Sequence, residues 1–261
     1  MALIALSSCA APNTNEELKT SNPSIEETIM TTTQFPENTA ADENVISLFS
    51  GNSKITLRTE ENTLFISELI SPDGENLLSC ESLFPLPSVA NDNEISWEFL
   101  SSATLESENC SGAEFVFEDK TNALELRVLC MAYNTPGPFV FETRIKNTAQ
   151  TETRIAPGSF AAIDADCTGA SVWRINKESG WAEGIRRSDG GDMFQGEGIY
   201  VTPVEAGTKV RAWVNTEQNF NASGSFPLIY LDRGGKNGLL VALEWSSGRV
   251  DLKAKTEPLP K

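Results

Sequence analysis

The chain has 261 residues, 39% of them hydrophobic, enough for one large or two small domains with a core of their own. It carries 37 acidic against 20 basic side chains, a net charge of −17, and no basic cluster larger than the pair Arg186-Arg187, so it repels nucleic acid and anionic lipid headgroups. It contains no histidine, which removes Ser-His-Asp and Cys-His nucleophile activation and the commonest catalytic metal ligand; carboxylate chemistry such as glycoside hydrolysis survives.

From the N-terminus, the apolar residues 2–6 lead into Leu6-Ser7-Ser8-Cys9. Leucine, two small residues and a cysteine resemble the bacterial lipobox, whose cysteine becomes lipidated and forms the new N-terminus. Residues 1–9 are read as a truncated export leader, lacking a basic n-region and with a short apolar stretch; a chance match is the alternative. Such a stretch is too short to cross a bilayer, so membrane contact is expected only through a lipid anchor on Cys9, at a bacterial cell envelope. The other cysteines, at 80, 110, 130 and 167, form no C-x-x-C pair, which excludes zinc-ribbon and thioredoxin readings. Four remaining cysteines suit up to two disulfides in an oxidising compartment, or four buried thiols.

Residues 10–45 are rich in Asn, Thr, Ser, Glu and Pro, with few large apolar side chains. They cannot bury enough surface to offset chain entropy, so they read as a disordered tether. From about Val45 short alternating segments begin, at 54–59, 63–70, 95–100 and 114–118. More follow at 124–133, 139–146, 159–163, 171–175, 198–202, 209–215, 227–231 and 239–245. Period-two alternation puts apolar side chains on one sheet face and polar ones on the other.

Asp73-Gly74 and the loop 232–238 supply turn chemistry between apolar runs. No stretch of helical length keeps a 3.6-residue stripe, and no repeat of fixed period is present. The expected fold is all-β, a large antiparallel β-sandwich over residues 46–255. Residues 256–261 read as the start of a linker.

Three segments carry a family resemblance. Leu64-Phe-Ile-Ser-Glu-Leu-Ile-Ser precedes Pro-Asp-Gly. Gly137-Pro-Phe-Val-Phe-Glu-Thr-Arg-Ile-Lys-Asn-Thr148 has the pattern Gly-Pro, Glu-x-Thr, Asn-Thr. Ser225-Phe-Pro-Leu-Ile-Tyr-Leu leads through a Gly-rich turn to Gly238-Leu-Leu-Val-Ala-Leu-Glu-Trp-Ser-Ser-Gly248. In this order they resemble the N-terminal domain of bacterial α-galactosidases of glycoside hydrolase family 36, over roughly residues 50–255. Glu244 stands where that family commonly has glycine, and Ser247 adds a residue.

The resemblance implies a β-supersandwich of the galactose-mutarotase type preceding a (β/α)8 barrel that holds both catalytic carboxylates. No Lys-x-Asp nucleophile strand is present here. What it implies is therefore a non-catalytic accessory domain, with the missing barrel, carbohydrate and a second copy of the chain as partners.

Asp164 and Asp166, at i and i+2, put two carboxylates on one strand face, where they serve as an acid–base pair, a calcium clamp or solvated acids at a strand end. Residues 188–192, Ser-Asp-Gly-Gly-Asp, lack the oxygens and spacing of a calcium loop. No metal or cofactor is expected.

Of five tryptophans, Trp97, Trp213 and Trp245 sit in apolar strands as core residues do, and Trp173 has an undetermined face. Trp181 is flanked by Gly and polar residues. With Arg186, Arg187 and Asp189 it forms the candidate carbohydrate-contacting or interdomain surface, indole stacking on a sugar face and the arginines offering forked donors to an acidic sugar. The competing fates are packing for Trp181 and surface ion pairs for the arginines. Two functions stand: an accessory sandwich of an α-galactosidase-like hydrolase, or a free-standing surface lipoprotein that binds glycans.

Overall fold

The computed structural model describes residues 2–8, 45–87, 95–149, 152–153, 162–177, 198–214, 224–225, 228–234, 237–243 and 248–254. Among them there is no helix. In chain order the strands are β1 (Ala2–Ser8), β2 (Val45–Ser50), β3 (Ser53–Glu60), β4 (Thr63–Ile70), β5 (Ser82–Phe84), β6 (Glu98–Glu106), β7 (Cys110–Asp119) and β8 (Leu124–Tyr133). There follow β9 (Phe139–Asn147), β10 (Ser171–Lys177), β11 (Gly198–Pro203), β12 (Lys209–Val214), β13 (Gly224–Ser225), β14 (Leu228–Asp232), β15 (Gly238–Leu243) and β16 (Gly248–Lys253).

A ten-stranded sheet runs β11-β10-β14-β15-β1-β9-β8-β7-β6, with β13 beside β10. Two smaller sheets, β2-β3-β4-β5 and β12-β16, cover it. This is the expected all-β sandwich, with one long sheet backing two short ones.

The alternation that reveals the strands also builds the core. In β7, Ala113, Phe115 and Phe117 are buried while Glu114, Val116 and Glu118 between them are only half-buried. Those inward side chains meet Ile55, Leu57, Leu64, Ile66 and Phe84 of the four-stranded sheet. The Phe84 ring lies 5.3 Å from that of Phe141 on β9. Each such side chain, removed from water, contributes roughly 1.5–3 kcal/mol before entropy is counted. A smaller cluster of Val172, Val210, Ala212 and Ile229 joins the ten-stranded sheet to β12-β16.

Turns set the registers. The two-residue β2–β3 turn places Gly51 at φ 57°, and the β3–β4 turn holds Glu61 and Asn62 at φ 45° and 65°. Both central residues of the latter are left-handed, as a type I′ hairpin requires. The loop 232–238 joins β14 to β15 as a hairpin, with Asp232 opposite Gly238.

Four differences from the sequence expectations have physical causes. Residues 2–8, expected as part of a leader, form β1, which pairs parallel to both β15 and β9. Lipobox cleavage before Cys9 would remove that strand from the processed chain. The strand expected at 95–100 runs instead from Glu98 to Glu106, because a bulge between Phe99 and Ser101 breaks its alternation and it is an exposed edge strand. β2 begins at Val45, the last residue of the expected tether.

The fourth difference concerns the thiols. Cys80, Cys110, Cys130 and Cys167 are all free, so neither disulfide that the sequence left open is formed, and with Cys80 exposed and only Cys130 fully buried the alternative of four buried thiols does not hold either. The remainder of the tether, Cys9, the linker 256–261 and most of the expected strand 159–163 lie outside the described residues.

Candidate functional site

Asp164 and Asp166 flank Ala165, whose single bridge to Leu78 ties this segment to the loop after β4. The backbone of both aspartates is held there. Ser79 donates its N–H and its hydroxyl to the Asp164 carbonyl, at 2.7 and 2.9 Å, and the Asp166 N–H donates to Leu77. Ser82 Oγ accepts the Asp164 N–H at 2.7 Å.

Both oxygens of the Asp166 carboxylate are engaged. It accepts the Thr168 N–H at 3.0 Å and stands 2.8 Å from Arg233 Nη2 in the β14–β15 loop. Arg233, its side chain only 14% exposed, also pairs with Glu75, whose other oxygen takes the Asn237 amide. Three loops, 71–79, 164–170 and 232–238, are thereby joined at one end of the sandwich. Arg233 Nε and Nη1 are buried there with no hydrogen-bond partner among the described residues.

Burial pushes the Asp166 carboxyl up, but the bonds from Thr168 and the charge of Arg233 outweigh it and hold it below its ordinary value. A glycosidase general acid needs the opposite, a carboxyl raised toward neutrality so that it arrives protonated. Asp166 is thus an ion-pair partner of Arg233 at a loop junction, rather than a solvated acid at a strand end. Among the described residues no group of three or more His, Cys, Asp or Glu side chains is placed to hold a metal.

Trp181, Arg186, Arg187 and Asp189, the expected carbohydrate or interdomain contacts, lie outside the described residues, as do Trp245 and the loop 188–192. Trp97 packs into the core as expected, donating its indole N–H to Pro87 at 2.8 Å. Trp173 is half-buried, edge-on to Tyr230 at 6.3 Å, and its indole N–H is buried without a partner among the described residues.

Sequence reasoning missed a different exposed aromatic, Phe49 on β2. Its exposure comes from the structure: in Val45-Ile-Ser-Leu-Phe-Ser50, Leu48 and Ser50 are buried and Phe49 between them points outward.

No protein-family model matches the sequence, and no curated protein matches it. Solved structures do match in fold. The GH36 α-galactosidase AgaA from Geobacillus stearothermophilus superposes with a TM-score of 0.53 at 9% identity, over 82% of this chain and 39% of that one. A substituted form of the same enzyme in complex with raffinose gives 0.52 at 10% identity, and one in complex with stachyose gives 0.53 at 10%, over the same shares. The chain therefore spans about 39% of the length of these structures. The resemblance read from three sequence segments extends to the fold.

Proposed function

We propose that this chain is a non-catalytic accessory β-sandwich of an α-galactosidase-like glycoside hydrolase, acting with a catalytic barrel. One observation carries the reading: the fold match takes in 82% of this chain but only 39% of an α-galactosidase chain. The state of Asp166 supports it, because an ion-paired carboxylate held below its ordinary value is a poor general acid.

The role of such a domain is to present a fixed surface to the barrel and to other copies of itself. The surface carrying Trp181, Arg186, Arg187 and Asp189 is the proposed contact. The test is mixing the chain with a family 36 α-galactosidase cut back to its barrel. Saturable association and a raised barrel Tm are expected, both weakened by Trp181→Ala. A folded chain that leaves the barrel unchanged would refute the docking role.

The same reading assigns export and lipidation at Cys9. Processing there removes β1, so residues 9–261 are expected to unfold as cooperatively as the whole chain. A mature N-terminus that retains residues 2–8 would refute lipidation.

A further inference from the structure

A cleft of about 410 Å³ opens where edge strand β2 meets the ends of β6, β7 and β8; Ser47, Phe49, Thr104, Glu106, Ser111 and Asn134 line it. That volume falls in the range of small-molecule sites, roughly 300–1,000 Å³. Phe49 is 58% exposed, and a large apolar ring left in water on a cleft wall is a feature that a ligand's apolar face would cover.

Both walls are fixed without a ligand. Ser50, adjacent to Phe49, points inward and accepts the Gly137 N–H at 2.9 Å, while its hydroxyl hydrogen points at the carbonyls of Thr135 and Gly137, 3.3 and 3.2 Å away. Gly51 then turns at φ 57°, where a Cβ would stand 2.8 Å from Pro136 Cγ, so only glycine lets β2 approach this loop. On the opposite wall Asn134 donates its N–H to Asn109 at 3.0 Å and its side-chain amide to Glu108 at 2.9 Å. A preset wall loses little freedom on binding, which favours affinity.

The lining chemistry selects the ligand. The cleft lining holds one exposed aromatic ring, the carboxylate of Glu106 and the hydroxyl of Ser111, beside a Ser47 hydroxyl bonded to Thr56 and an Asn134 amide bonded to Glu108, but no Lys or Arg. An anionic ligand meets the Glu106 carboxylate, while Lys54, opposite Phe49 on β3, is ion-paired with Glu68, on a chain of net charge −17. A neutral sugar matches each element, its C–H face on the ring and its hydroxyls donating to the carboxylate.

We propose that the cleft between β2 and the ends of β6–β8 is a neutral-saccharide-binding site, with Phe49 as the stacking platform and Glu106 as a hydroxyl acceptor. The proposal uses none of the residues proposed for the barrel contact. It rests on the proposed function only for the choice of probe sugars, and its failure leaves the barrel-mixing experiment standing.

The test is calorimetric titration of the full chain with methyl α-galactoside, cellobiose and maltotriose, with galacturonate as the charged control. Saturable binding of at least one neutral sugar is expected. Phe49→Ala should weaken it about fivefold, the share an aromatic contact of about 1 kcal/mol supplies, while Phe49→Tyr retains it. Glu106→Gln should weaken it as well. Leu83→Ala, an exposed apolar residue on β5, should leave it unchanged. Silence across the neutral sugars from a folded chain, binding indifferent to Phe49→Ala, or preference for galacturonate would each overturn the proposal.

Discussion

Arg233 and Asp166, 67 residues apart in sequence, stand 2.8 Å from one another, and the same guanidinium nitrogen lies 2.8 Å from Glu75. One cation therefore pairs with two carboxylates from two other loops. Removing it leaves the acids close together at a crowded junction. Arg233→Ala is expected to cost about 2 kcal/mol, below the 3–5 of fully buried pairs because both acids are partly exposed. Urea denaturation measures it. A change within about 0.5 kcal/mol, the range of an ordinary surface substitution, would show the junction to be incidental.

Acid should unfold the protein over a defined window. Asp119 is 1% exposed; its carboxylate accepts the Asn122 N–H at 3.0 Å, the Asn122 amide at 2.8 Å and the Ser96 N–H at 3.2 Å. Burial pushes that carboxyl up, but these bonds outweigh it and bring it below its ordinary value, the direction also taken by Asp166, Glu68 and Asp73. A carboxyl lower in the folded than in the unfolded state adds stability that is complete above the unfolded value. That stability is lost as pH falls through the folded value. Thermal stability should be level for these groups from neutrality down to about pH 5 and fall below about pH 4. Asp119→Ala should shrink the acid-dependent part and lower stability at neutral pH by about 2 kcal/mol. An unchanged pH profile in that variant would contradict the assignment.

Gly238 opens β15 directly against the Tyr230 ring, and a Cβ there would overlap the ring carbons and hydroxyl. Gly238→Ala should therefore destabilise by roughly 1–3 kcal/mol, the cost of overpacking. Adding Tyr230→Ala should recover part of that loss. Equal losses in the single and double variants would place the cost elsewhere.

The four described thiols should label in order of access. Cys80 is exposed; Cys130 is fully buried, its thiol pushed up by that burial. A thiol reagent on the native chain should modify Cys80 first and leave Cys130 untouched until unfolding. Modification of Cys130 at the rate of Cys80, or a mass two hydrogens low for each of one or two disulfides, would contradict the thiol assignment.

Much of the fold was legible because half-buried strands write their pleat into the sequence. Residues 63–70 and 124–133 were read with the bounds that β4 and β8 have, each alternating against a covered face. The reading failed where that cause is missing. β6 is an edge strand with both faces largely exposed, so Ser101-Ser102-Ala103-Thr104 carries no apolar rhythm. β5 and β13 are too short to show a period.

The site was less legible than the fold. Asp166 was singled out for chemistry because spacing shows which face a carboxylate shares. It cannot show that Arg233, from a distant loop, will neutralise it. Phe49 was missed because its exposure follows only from the burial of Leu48 and Ser50 beneath it.

The most direct test of the accessory-domain account is turnover of a panel of aryl glycosides, α-galactosides included, by the full chain and by Asp166→Asn at matched high concentration. The account predicts hydrolysis indistinguishable from buffer for both proteins. Hydrolysis by the unaltered chain that disappears in Asp166→Asn would contradict it and make this sandwich an enzyme in its own right.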